Sequence, residues 1–230
     1  MKTSTGKNKN RKMTETAVGI AMFAALAYGV TLVFPIPVSF LTFDAKDAVI
    51  TVASFVYGPL AGVIMSLLTA LLELFTVSGT GLYGFIMNFV SSAVFAATAS
   101  GIYKLWRNPR GAVLGPVLAV FTMTGIMLPM NIWITPVYMT TLTGSTVTQA
   151  EVIAMIPTLL FPFNLAKGLL NAALAMLLYK PLSVALSRAG FVGRGEEKKS
   201  FSWNRTTLFI SLAALLMIAV AVTLFVLLNK

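Results

Sequence analysis

The sequence predicts an all-α integral membrane protein: a bundle of six membrane-crossing helices, followed by an additional C-terminal transmembrane helix. Three observations carry that prediction. Of 230 residues, 57% are hydrophobic and only 10% are charged, with mean hydropathy +0.87, whereas a soluble domain carries about 25% charged residues. The apolar residues fall in long runs broken by short polar stretches. The basic residues behind the net charge of +10 gather at the ends of those runs, in the clusters Lys2 to Lys12, Lys104 to Arg110 and Lys180 to Arg205. That is how membrane proteins are oriented, with positive charge on the cytoplasmic side. It is not the soluble basic patch of a nucleic-acid binder.

The elements follow in order. Residues 1–13 read as a basic cytoplasmic N-terminus. A first span runs from Thr14 to Val33, too long for a signal-peptide core, and it is followed by FPIPVSF where a cleavage site would stand. It is therefore expected to be retained. After the loop FPIPVSFLTFD comes Ala45 to Thr76, interrupted at Gly58-Pro59. A spanning helix needs roughly 20 residues, so the stretch could be one long helix or two short ones. Charge parity selects two passes, because only then do all three basic clusters lie on one side. Further spans are expected from Tyr83 to Leu105, from Ala112 to about Ile134, and from Val152 or Pro157 to Leu186. TPVYMTTLTGSTVTQAE reads as a polar loop. The six-span core is thus 14–188, a charged linker occupies 189–205, and residues 206–230 form the seventh helix. That last helix lacks Gly, Pro and strong polar groups, and reads as a lipid-facing anchor with its end outside.

Much catalytic chemistry is excluded. With no cysteine and no histidine, there are no disulfides or thiols, and the usual zinc and iron ligands and the common general base are missing. No G-x-x-x-x-G-K-[ST] occurs, so this chain has no Walker site. The chain reads as no enzyme, with no metal site and no resident cofactor. A proton relay would want several buried carboxylates, and of seven acids only Glu73 approaches a span interior.

The remaining candidates are few. Ala17, Ala21, Ala25 and Gly29 recur every four residues on the first helix, a ridge that admits close approach of another helix. Ala24 and Ala27 widen that small face. From the pattern alone internal packing is the favoured explanation of the ridge over docking, because small residues are common in membrane helices. Inside the spans lie Asn88, Asn131, Asn164 and Lys167. Lys167 is the only lysine or arginine deep in an apolar run, with no acid beside it in PFNLAKG. A lysine at mid-membrane costs about 2.5–3.5 kcal/mol on insertion scales, so it should face a cavity or a partner. Snorkelling to the outer surface is the alternative, and an interhelical hydrogen bond is the alternative for each asparagine. Against both, Asn131, Asn164 and Lys167 fall at one depth of the outer half, interleaved with Met130, Trp133, Phe161 and Phe163. An apolar wall with a few convergent polar groups suits a small-molecule pocket. Amides beside an ammonium donor suit a planar ligand with alternating C=O and N–H on one edge. The loops FLTFDAKD, with Phe40, Leu41, Thr42 and Phe43, and VSGTGLYG are positioned to close it.

The segments FDAKDAVITVASFVYGPLAGVIMSLLTALLELF and SGTGLYGFIMNF, with NLAK at Asn164 to Lys167, resemble the substrate-binding S components of energy-coupling factor (ECF) vitamin transporters, and the riboflavin-specific branch most of all. The resemblance covers roughly Thr14 to Arg188. It implies a six-helix bundle in the bacterial cell membrane, with an outward-facing vitamin pocket capped by the loop after the first helix. It implies that Asn131, Asn164 and Lys167 hydrogen-bond the polar edge of riboflavin, with Leu41, Thr42 and Gly81 near the ligand. The A-x-x-x-A motif of the family maps to Ala17, Ala21 and Ala25, and implies docking to a transmembrane coupling subunit that carries two cytoplasmic ATPases. The other readings are an S component for a different vitamin, or a structural membrane subunit without a ligand.

Overall fold

The computed structural model describes residues 3–188 and 205–228. The expected linker and the terminal Lys230 lie outside the described residues. Helix α1 spans Thr3–Val33, and a β-hairpin follows, β1 (Ile36–Val38) with β2 (Leu41–Phe43). Then come α2 (Lys46–Tyr57), α3 (Pro59–Thr76), α4 (Gly81–Leu105), α5 (Pro109–Thr143), α6 (Gln149–Ala154), a π-helical turn (Ile156–Leu160), α7 (Phe161–Arg188) and α8 (Arg205–Leu228).

The break at Gly58-Pro59 is a turn between two helices. Gly58 sits at φ 94°, a left-handed region that glycine enters without a steric penalty. Pro59 then opens α3, where its missing N–H costs nothing. The two passes are unequal, however. Among the described residues, six helices are long and apolar enough to cross a membrane, α8 among them, and α2 is not one of them. Its 12 residues reach about 18 Å, short of the roughly 30 Å hydrocarbon core. The hairpin precedes α2, paired antiparallel with Val38 opposite Leu41 and Ile36 opposite Phe43. The expected loop FPIPVSFLTFD is therefore partly ordered β-structure.

Two further boundaries differ from expectation. α5 does not stop near Ile134 but continues to Thr143. The threonines that made this stretch read as a loop return their hydroxyls to the helix, Thr141 to the Val137 carbonyl at 2.8 Å and Thr143 to that of Met139 at 2.9 Å. Pro116, Pro129 and Pro136 are carried inside the same helix. The sixth span opens through the capped helix α6, where Thr148 and Glu151 form a reciprocal capping box, and then the π turn.

The two ends of the bundle are packed differently. At one end α2, α4 and α7 meet through Phe55, Tyr103 and Tyr179, whose tyrosine hydroxyls lie 2.8 Å apart. Gly115 of α5 lies so close to the backbone of Ala99 in α4 that a Cβ there would collide with the Ala99 carbonyl. At the other end the same helices separate around a cavity. α8 is more than a lipid-facing anchor. Its outer face is exposed at Leu212, Leu215 and Leu216, but Ala214, Ala221 and Phe225 are buried against α7 and its neighbours.

Candidate functional site

The cavity measures about 400 Å³, within the usual range of roughly 300–1,000 Å³ for small-molecule sites. Its walls come from the ends of α1, α3 and α5, the starts of α4 and α7, and the hairpin. Leu32, Met127, Ile134 and Phe163 supply apolar surface, and Asn131, Asn164 and Lys167 are among the polar groups, beside Asp44 and Glu73. These three residues, called from the sequence, do lie on one cavity. So do Leu41 and Thr42 of β2 and Asn88 of α4. Gly81 does not line it; its neighbours Gly79, Thr80 and Gly84 do. The aromatic interleaving was misjudged in part. Trp133 and Phe161 are exposed on the outer surface, and Met130 is not on the lining. Met127, one helical turn from Asn131, takes its place.

The local geometry of each asparagine follows from helix spacing. Asn131 donates from Nδ2 to the Met127 carbonyl at 2.7 Å and accepts at Oδ1 from the Thr135 hydroxyl at 3.0 Å. Asn164 donates to the Leu160 carbonyl, also at 2.7 Å, at the end of the π turn. Each amide thus uses one N–H to fix its own rotamer against its helix. What it can still offer a ligand is held in place beforehand.

Lys167 is not the isolated cation that PFNLAKG suggests. Its Nζ lies 3.4 Å from Asp44 Oδ2, and Asp44 follows the hairpin directly. The acid is 123 positions away in the chain, so nothing local announces it. Asp44 also lies 3.6 Å from Lys46 Nζ, and Lys46 reaches both carboxylate oxygens of Glu73, at 2.6 and 2.7 Å. Asn88 Nδ2 and the Thr31 hydroxyl donate to the same Glu73 carboxylate, at 3.1 and 3.0 Å. Asp47, fully buried, accepts from the Ser92 hydroxyl. Burying ions is costly unless their partners are well placed. Here every lysine of the cluster meets a carboxylate, and the chain from Glu73 through Lys46 and Asp44 to Lys167 ties α3, α2, the hairpin and α7 together.

Asn171 completes this scaffold, and sequence reasoning missed it. Ala45, the residue before α2, offers no side-chain cap. Asn171 of α7 does the capping from outside: its Oδ1 accepts from Ala48 N–H at 2.9 Å, and its Nδ2 donates to the Asp44 carbonyl at 3.0 Å. The available signal was spacing, since Asn164, Lys167 and Asn171 form one stripe at i, i+3 and i+7.

On α1 the ridge divides. Ala17, Ala21 and Ala25 are exposed, whereas Ala24 and Ala27 point into the bundle and are buried against Phe23, Ala53 and Met65. Ala24 and Ala27 therefore do not widen the outward face as the sequence suggested.

Comparison with known proteins covers most of this architecture. Residues 11–179 match the family model described as "ECF transporter, substrate-specific component". The chain is 30% identical to the riboflavin transporter RibU of Staphylococcus aureus over 192 residues, covering 80% of this chain and 98% of the relative. It is 24% identical to the riboflavin transporter FmnP of Bacillus subtilis, covering 70% of this chain and 88% of that one. Among solved structures, one reported under "Structure and mechanism of the S component of a bacterial ECF transporter" superposes with a TM-score of 0.61 at 30% identity. The match covers 76% of this chain and 99% of the other.

Proposed function

The chain belongs to the family of substrate-specific components of ECF transporters, and from that premise we propose that it captures riboflavin at the cavity between the hairpin, α5 and α7. The observation that carries the proposal is the convergence of Asn131, Asn164 and Lys167 on one cavity of about 400 Å³, beside apolar walls from Leu32, Met127, Ile134 and Phe163. Riboflavin has a planar, largely apolar ring system whose one edge alternates C=O, N–H and C=O. The asparagine carbonyl oxygens match the N–H, and the Lys167 ammonium matches a carbonyl through a charge-assisted hydrogen bond. Asp44 holds that ammonium in place. The ribityl tail meets the hydroxyl-bearing loop at Ser78 and Thr80, and Leu41 and Thr42 of the hairpin cover the ligand. Gly81 lies beside this loop as a hinge of left-handed backbone, at φ 56°.

In this proposal the chain binds and its partners supply energy. Ala17, Ala21 and Ala25 face outward on α1 and offer a close-approach surface to a transmembrane coupling subunit, which in turn carries two ATPase subunits. The basic clusters at the span ends support an N-terminus in the cytoplasm of a bacterial cell and a hairpin end outside.

Extraction of the purified protein tests the ligand: it should release a yellow, fluorescent compound identified as riboflavin. Asn164→Ala should weaken riboflavin binding by about 1–3 kcal/mol, the cost of leaving a buried hydrogen-bonding partner unmet. Lys167→Ala should weaken it at least as much. Wild-type affinity in both variants would sink the site assignment.

A further inference from the structure

Helix α8 lies beyond the family-matched residues 11–179, yet it reaches the cap of the cavity. The Phe225 ring lies 5.1 Å between centroids from Phe43 of β2, and 6.2 Å from Phe163 of α7. Phe163 lines the cavity. Val38, Phe43, Phe163, Ala166, Ala221 and Phe225 form one buried cluster joining hairpin, α7 and α8. Ala221, one turn before Phe225, is fully buried, and its small side chain lets α8 lie close to α7.

The hairpin needs such support. Two strands of three residues are at best marginally stable alone. Alternation along β2 sends Phe43 and Thr42 to opposite faces. Phe43 is buried in the cluster while Thr42 lines the cavity. Thr42 of the cap thus addresses the cavity and Phe43 rests on Phe225, while Leu41 touches both. We infer that α8 is a clamp on the cap, with Phe225 as a positioning residue that slows opening of the hairpin and release of the bound molecule. The release arm rests on the riboflavin reading above; the clamp itself does not.

The test uses the full chain with Phe225→Ala. In ligand-free protein, amide hydrogen exchange of residues 36–43 should accelerate, while Leu216→Ala on the lipid-facing side of α8 should leave it unchanged. Riboflavin dissociation should speed up about three- to tenfold, the equivalent of one lost aromatic packing interaction, with association changing less. Phe225→Leu, which keeps apolar bulk, should fall between wild type and Phe225→Ala, and it decides the matter if the alanine variant does not fold. Unchanged exchange over 36–43 in a folded variant overturns the clamp. Faster exchange with unchanged riboflavin dissociation overturns its link to release. A wild-type protein that binds no riboflavin overturns the ligand reading, and hairpin exchange still decides the clamp.

Discussion

The two ends of this bundle are built by opposite rules. At the closed end, small residues let helices touch: Ala96, Ala99, Ala119 and Ala172 are fully buried, and Gly115 brings the α5 backbone against α4. Dispersion and shape hold that end together. At the cavity end the helices stand apart, and long charged side chains bridge the gaps. Lys46, buried to 1% exposure, spans from α2 to Glu73 on α3, and Asp44 spans from the hairpin to α7. The difference shows how a membrane bundle keeps a polar cavity open without collapsing. Close packing of small residues closes one end, and at the other directional ion pairs fix the distance between the helices that wall the cavity.

The largest expected effect comes from breaking the ion pairs. Glu73→Leu leaves Lys46 buried with only the more distant Asp44. Removing one partner of a buried pair costs about 3–5 kcal/mol, so the thermal midpoint in detergent should fall steeply. Lys46→Met together with Glu73→Leu should recover much of the loss, because a packed apolar pair replaces a matched ionic one at little cost. A single variant that melts like wild type would mean that the cavity end is held by something else. Next in size is the closed end. Gly115→Leu forces side-chain volume against the Ala99 carbonyl, and overpacking of this kind costs about 1–3 kcal/mol. Thermal unfolding should show that loss, and riboflavin affinity in the folded fraction should stay near wild type because the cavity lies at the opposite end. A large affinity loss in Gly115→Leu would dissolve the distinction between the ends.

The same contrast explains what the sequence disclosed. The apolar helical segments were legible because they rest on local signals: apolar runs, Gly58-Pro59, basic clusters at span ends. Yet α2 is shorter than the spanning helix expected there, and the packing of the closed end was not read. Asn131, Asn164 and Lys167 stood out because polar groups in apolar runs are rare. What pairs with them was not legible. Lys46 and Glu73 are 27 positions apart and Asp44 and Lys167 are 123 apart, and periodicity reports faces within one helix, never the partner across a gap. FDAKD was visible as a motif, yet its charges read as a loop because they stand at the edge of an apolar run. Asn171 was within reach, on the stripe of Asn164 and Lys167. Phe225 was not, since an all-apolar helix looks alike on every side until its neighbours are known.

The smallest effect on stability is expected on the surface of α1, and it sharpens the comparison most. Ala21 is exposed, while Ala24 and Ala27 on the same helix are buried. Ala21→Leu adds volume on a face exposed among the described residues, so stability should change by no more than about 0.5 kcal/mol. Riboflavin affinity should be unchanged, because the cavity walls take nothing from this face. If the outward ridge is the docking surface, the added side chain holds a partner helix away, and both co-purification with the coupling subunit and vitamin uptake should be lost. A full-strength complex with Ala21→Leu, and equally with Ala25→Leu, would place the docking surface elsewhere. In the proposed division of labour the variant separates capture from delivery: losing the complex while keeping riboflavin affinity is the outcome that assigns the first to the cavity end and the second to the outward face of α1.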